Sequence, residues 1–162
     1  MYSKPLIDDA TRLLATCREN GLRIATAESC TGGLVSGLLT AVPGSSDVVE
    51  RGFVTYTNEA KHEMLGVSED LFETVGAVST EVARAMAAGA LERSAADLAV
   101  GVTGIAGPGG ATENKPVGLV HLSTCRGDGE TIDEKRVFSG DRAEVRMQAV
   151  AVALQMLRAL TE

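Results

Sequence analysis

Tryptophan is absent from the 162 residues, and aromatics in general are scarce, with three Phe and two Tyr. That excludes an aromatic-rich recognition surface and leaves a core of Ala, Val, Leu and Ile, which suits helices packed on a sheet. Basic residues are also few. Fifteen Lys and Arg stand against 22 Asp and Glu, a net of -7 with no dense basic run, so an extended nucleic-acid backbone is excluded as a partner. Cys17, Cys30 and Cys125 are scattered without a C-x-x-C pair, and His62 and His121 lack metal-ligand spacing. A disulfide framework and a structural zinc have no basis here. No stretch approaches the roughly 18 apolar residues of a membrane span, and the start, MYSKPLIDDATRLL, lacks the apolar core of a signal peptide. The expectation is one cytoplasmic domain over 1–162, with no membrane partner.

What is present centres on RIATAESCTGGLVS, residues 23–36. Ile24, Ala25 and Ala27 read as a buried strand, while Leu34, Val35, Leu38 and Leu39 recur at helical spacing. The junction between them, Glu28 to Gly33, carries Ser29, Cys30, Thr31, Gly32 and Gly33. A helix that starts there presents free N–H groups and the positive end of its dipole, which suits an anion or a developing oxyanion. Ser29 reads as a nucleophile at the rim of this turn, or else Ser29 or Thr31 is a plain N-cap. Cys30 is a rival nucleophile, since thiols at helix N-termini ionise more readily.

Further along, Arg51 to Thr57 reads as a second strand, and Asn58 as the N-cap of the helix NEAKHEMLG. That places Lys61 at the third helical position, a cation facing the positive dipole end. It is either a solvated surface residue or a lysine biased toward its neutral, basic form. His62 points to a different face. Ser79 caps a longer helix, and Leu98 to Thr103 is a continuous apolar run suited to a covered central strand. After it comes Gly104-Ile105-Ala106-Gly107-Pro108-Gly109-Gly110, neither a Walker A loop nor a dinucleotide fingerprint. Its position matters, because ligands of open α/β sheets gather outside the carboxyl ends of strands. Val117 to Thr124 and Thr131 to Phe138 read as a hairpin, which makes the sheet mixed. Arg142, in the first turn of the last helix, is solvated, paired with Asp141, or set to orient a phosphate or carboxylate.

Several ordered motifs together resemble the carboxy-terminal domain family of the competence-damage-inducible protein CinA, whose stand-alone members include nicotinamide-nucleotide amidases. They are Ala27-Glu28-Ser29-Cys30-Thr31-Gly32-Gly33, Val42-Pro43-Gly44-Ser45-Ser46, Thr55-Tyr56-Thr57-Asn58-Glu59-Ala60-Lys61, the loop Gly104 to Gly110 with Lys115-Pro116-Val117-Gly118, and Gly140-Asp141-Arg142. The resemblance implies a three-layer α/β/α fold around a mixed, mostly parallel sheet. It further implies hydrolysis of the carboxamide of nicotinamide mononucleotide to nicotinate mononucleotide and ammonia, without a metal or organic cofactor. On this sequence the family's nucleophile falls on Ser29 and its basic lysine on Lys61, with Tyr56 and Thr103 supporting the proton relay or the substrate. Cys30, Thr31, Gly32, Gly33, Ser46, Gly104, Gly107 and Arg142 are the candidate substrate contacts. Ala111 and Asn114 depart from the pattern, standing where Gly and an acidic residue are expected. Ala-rich helix faces suggest a homo-oligomer. Two other functions fit the same residues: a non-catalytic nucleotide-binding module, and an amidase for another small amide.

Overall fold

The computed structural model describes residues 1–162. Chain order is α1 (Lys4–Glu19), β1 (Ile24–Glu28), α2 (Leu34–Thr40), β2 (Val49–Val54), α3 (Asn58–Leu65), α4 (Glu69–Thr74), α5 (Thr80–Glu92), β3 (Leu98–Gly104), β4 (Leu119–Arg126), β5 (Thr131–Val137) and α6 (Arg142–Ala159). The five strands form one sheet in the order β2-β1-β3-β4-β5. Pairing is parallel among β2, β1 and β3, and antiparallel at β3–β4 and β4–β5, so only β4 runs against the others. The mixed, mostly parallel sheet read from the hairpin and the resemblance is the one observed.

Helices cover both faces. Leu13, Leu14, Leu38, Leu39, Val150 and Leu157 of α1, α2 and α6 bury one side together with Val100, Val102 and Leu122 of the sheet. Val82, Met86, Ala87 and Ala90 of α5, joined by Leu65 of α3, cover Ala25, Ala27 and Ala99 on the other. Small residues set the spacing on this second side. A Cβ at Gly101 would run into the Ala83 carbonyl and the Ala87 amide, so glycine there lets α5 lie directly on β3.

Local boundaries differ from the sequence reading in two places that matter. The second strand spans Val49–Val54 rather than Arg51 to Thr57, which releases Thr55, Tyr56 and Thr57 into the connection at its carboxyl end. The cap of α3 is Thr57, whose hydroxyl accepts from the Ala60 N–H, and not Asn58. Lys61 therefore stands fourth in its helix, with its own N–H bonded to the Thr57 carbonyl.

Candidate active site

Three strand ends meet at one cavity of about 270 Å³. Ser29 and Cys30 follow β1, Tyr56 follows β2, and Thr103 and Gly104 end β3, with Lys61 of α3, Gly107 of the following loop and Arg142 of α6 completing the lining. This convergence of the Ser29 turn with the glycine loop after Thr103 is what the strand-end rule predicts.

Ser29 is fixed through its backbone, which donates to the Val102 carbonyl at 2.9 Å and extends the β1–β3 pairing by one residue. Gly32 and Gly33 then take left-handed φ values of 56° and 98°, and Gly32 N–H returns to the Ser29 carbonyl at 3.0 Å. Only glycine adopts that pair of conformations without strain.

The first turn of α2 is not open to a ligand. Glu28, 0% exposed, turns its carboxylate onto the Val35 and Ser36 N–H groups at 2.8 and 3.0 Å and also accepts from the Thr26 hydroxyl. The dipole end offered to an anion in the sequence reading is already occupied by the chain's own carboxylate. The N–H groups of Cys30, Thr31 and Gly33 donate to no protein carbonyl. Of the turn, only Ser29 and Cys30 line the cavity. Thr31 is buried, while Gly32 and Gly33 face the Arg146 guanidinium and Val54. Direct substrate contact for Thr31, Gly32 and Gly33 is thus corrected to a turn-forming role.

Lys61 is 2% exposed. Its Nζ lies 3.0 Å from Ser29 Oγ and donates to the Tyr56 carbonyl at 3.3 Å, with no salt-bridge partner. Burial pulls its pKa below the usual lysine value, with Cys30 opposing. The cause is desolvation, so the surface-lysine alternative does not apply. His62 points elsewhere, with Nδ1 2.8 Å from the Val67 carbonyl. Cys30 is a weak rival for the chemistry, because burial pushes its thiol up to about 12 and keeps it protonated.

Tyr56 is 58% exposed at the cavity mouth. Its phenol accepts from Arg142 Nη2 at 2.7 Å, and it reaches Lys61 through its main-chain carbonyl. Arg142 also donates Nη1 to the Gly107 carbonyl at 2.8 Å, tying the glycine loop to Tyr56 across the opening. It is neither free in solvent nor paired with Asp141. That carboxylate is taken up by a reciprocal capping box, accepting from Glu144 N–H while Glu144 accepts from Asp141 N–H. Thr103 lines the cavity but its hydroxyl is committed to the Ala77 carbonyl at 2.8 Å.

Ser46 does not belong here. It is exposed in the short 3-10 turn Ser45–Asp47 that precedes β2, and the parallel strands put that turn at the opposite end of the sheet from Ser29. Two residues of the site were missed in the sequence. Glu28 sits inside the quoted motif and at the junction, but with no role of its own read there. Arg146 of α6 donates Nε to the Cys30 carbonyl at 3.0 Å and Nη2 to the Thr31 carbonyl at 3.2 Å, clamping the turn from behind. No sequence signal marks it, since its partners are main-chain atoms more than a hundred residues away. No group of three or more His, Cys, Asp or Glu comes together that could hold a metal ion.

Comparison with known proteins matches residues 8–161 to the CinA C-terminal domain. A putative competence-damage inducible protein of Caldicellulosiruptor saccharolyticus is 53% identical over 86% of this chain, which spans 34% of that protein, about a third of its length. The nicotinamide-nucleotide amidohydrolase PncC of Enterobacter agglomerans is 47% identical over 96% of this chain and 94% of its own. Among solved structures, the competence/damage inducible protein CihA of Agrobacterium tumefaciens superposes with a TM-score of 0.98 at 50% identity, covering 100% of this chain and 99% of that one.

Proposed function

The chain belongs to the CinA C-terminal domain family, and on that premise we propose that it is a nicotinamide-nucleotide amidohydrolase, converting nicotinamide mononucleotide and water to nicotinate mononucleotide and ammonia. The observation that carries the reading is the pairing of Ser29 Oγ with a buried Lys61 Nζ at 3.0 Å, at the floor of a cavity formed by strand ends. A lysine without a carboxylate partner, held toward its neutral form by burial, is suited to accept a hydroxyl proton near neutral pH.

In this mechanism neutral Lys61 takes the Ser29 proton as Oγ forms a bond to the amide carbon. The tetrahedral oxyanion is received by the unpaired N–H of Cys30, which lines the cavity, a donor of a kind worth about 3 kcal/mol when well placed. The C–N bond breaks as protonated Lys61 returns its proton to the departing ammonia. Water then attacks the acyl-serine, again losing a proton to Lys61, and the ester C–O bond breaks to regenerate the Ser29 hydroxyl. Arg142 and Tyr56 frame the mouth, where a fixed guanidinium suits the nucleotide's phosphate. The same reading carries the expectations of a cytoplasmic location and a homo-oligomer, the latter measurable by light scattering.

The test is ammonia release from nicotinamide mononucleotide by chelator-treated protein, beside Ser29→Ala and Lys61→Ala. Release that survives chelation and vanishes in both variants supports the Ser-Lys amidase. Binding of the nucleotide without release would instead favour a non-catalytic module.

A further inference from the structure

A second polar cavity, of about 320 Å³, lies beyond Val78, which lines both it and the first. Three basic side chains from separate parts of the chain line it: Lys115 from the loop after β3, His121 from β4 and Lys135 from β5. The Ser79 and Thr80 hydroxyls at the start of α5 join them, and Glu81 is the only acid in the lining. Neither lysine has a salt-bridge partner anywhere in the fold.

His121 is 7% exposed, so its ring is held in place and does not sample solvent freely. Its Nδ1 is 3.0 Å from the Thr80 hydroxyl, and Nε2 has no protein partner. In the tautomer where Nδ1 accepts from the Thr80 hydroxyl, Nε2 carries the hydrogen and is a donor without an acceptor. In a chain of net charge -7, two lysines without salt-bridge partners and a buried imidazole facing one hollow with a single acid in its lining make a locally positive pocket that suits an anion. Burial together with Lys135 and Lys115 already holds His121 below the ordinary imidazole value, with Glu81 opposing.

We propose that this cavity is a second ligand site, separate from the amidase centre, that binds a small phosphate or phosphate monoester between Lys115, Lys135 and the Nε2–H of His121. Lys115 also donates to the Val75 carbonyl at 2.5 Å, leaving part of its donor capacity for the ligand. Lys135 is exposed and uncommitted, which makes it the residue to change without disturbing the fold.

The chain has only two histidines, so imidazole NMR reports the site directly, with His62 as an internal control. The wild-type protein is titrated with inorganic phosphate, and in a second arm with ribose 5-phosphate, at constant ionic strength set by sodium chloride. The expected result is a saturable movement of the His121 signals with His62 unmoved, weakened at least about tenfold in apparent Kd by Lys135→Gln. Tighter binding in the sugar-phosphate arm assigns a phosphate monoester, and equal binding assigns free phosphate. The proposal is overturned if His121 does not respond, if chloride alone moves it as far, or if Lys135→Gln titrates like wild type. None of these outcomes depends on ammonia release, so failure here and failure of the amidase reading are distinguishable.

Discussion

Glu28 and Lys61 are both removed from water, yet the fold treats them in opposite ways. Glu28 receives three hydrogen bonds, two of them from the first turn of α2. Lys61 has one hydroxyl and one carbonyl within reach and no counter-charge. A buried ionisable group whose hydrogen-bonding capacity is met acts as a brace, whereas one left short is biased toward its neutral state and stays available for proton transfer. On the proposed reading, the residue before Ser29 is thus scaffold, and the residue opposite it is chemistry.

The comparison is broken most directly at Ser29, the proposed nucleophile. Ser29→Ala should lower ammonia release by about 10⁴-fold or more with the melting temperature nearly unchanged, read by steady-state kinetics and calorimetry. Lys61→Met should cost about 10³-fold or more in kcat while raising stability by about 1 kcal/mol, or roughly 2–4 °C in Tm. A drop in Tm would mean that Lys61 is a structural charge after all. Glu28→Ala should do the reverse, losing about 3 kcal/mol of stability as two helix N–H groups are left without their acceptor. An unchanged Tm would remove Glu28 from the scaffold. The smallest effect is expected at the cavity mouth, where Tyr56→Phe removes the acceptor for Arg142 and should raise KM about tenfold or less, with kcat little changed.

Titration sharpens the same contrast. Folding holds the Lys61 pKa below its ordinary 10.5, so the unfolded chain binds the additional proton in the window between the lowered value and 10.5. Wild-type stability therefore rises with pH through that window, and Lys61→Met flattens this part of the profile. If Lys61 is the base, activity needs its neutral amine, so kcat/KM should climb with pH and level off above the lowered value.

The Ser29 turn, the α3 lysine and the glycine loop were legible because each combines a strand or helix pattern with a residue out of structural place. Lys61 near a helix start was the clearest such signal, although the cause of its altered basicity is burial and not the helix end. Arg142 was visible as a cation in a first turn, but its partners, the Gly107 carbonyl and the Tyr56 phenol, come from distant segments. Ser46 was misplaced because it lies in a motif. Turn residues before a parallel strand land at the far end of the sheet, and sequence proximity to motif residues says nothing of that. Glu28 and Arg146 were illegible for a shared reason: both bind main-chain atoms, which every residue has and no pattern marks.

The clamp from Arg146 onto the Cys30 and Thr31 carbonyls also sets an order of events. Synthesis delivers the strand leading to Ser29 well before α6 and the arginine that steadies its turn. The helices α1 and α2 share their apolar contacts with that helix, so the early part of the chain has an incomplete core until it arrives. A nascent chain carries Ser29 long before it has the means to aim it. On the amidase reading, competence for hydrolysis in this sense waits on α6, and a chain interrupted before residue 146 would be silent rather than partly active.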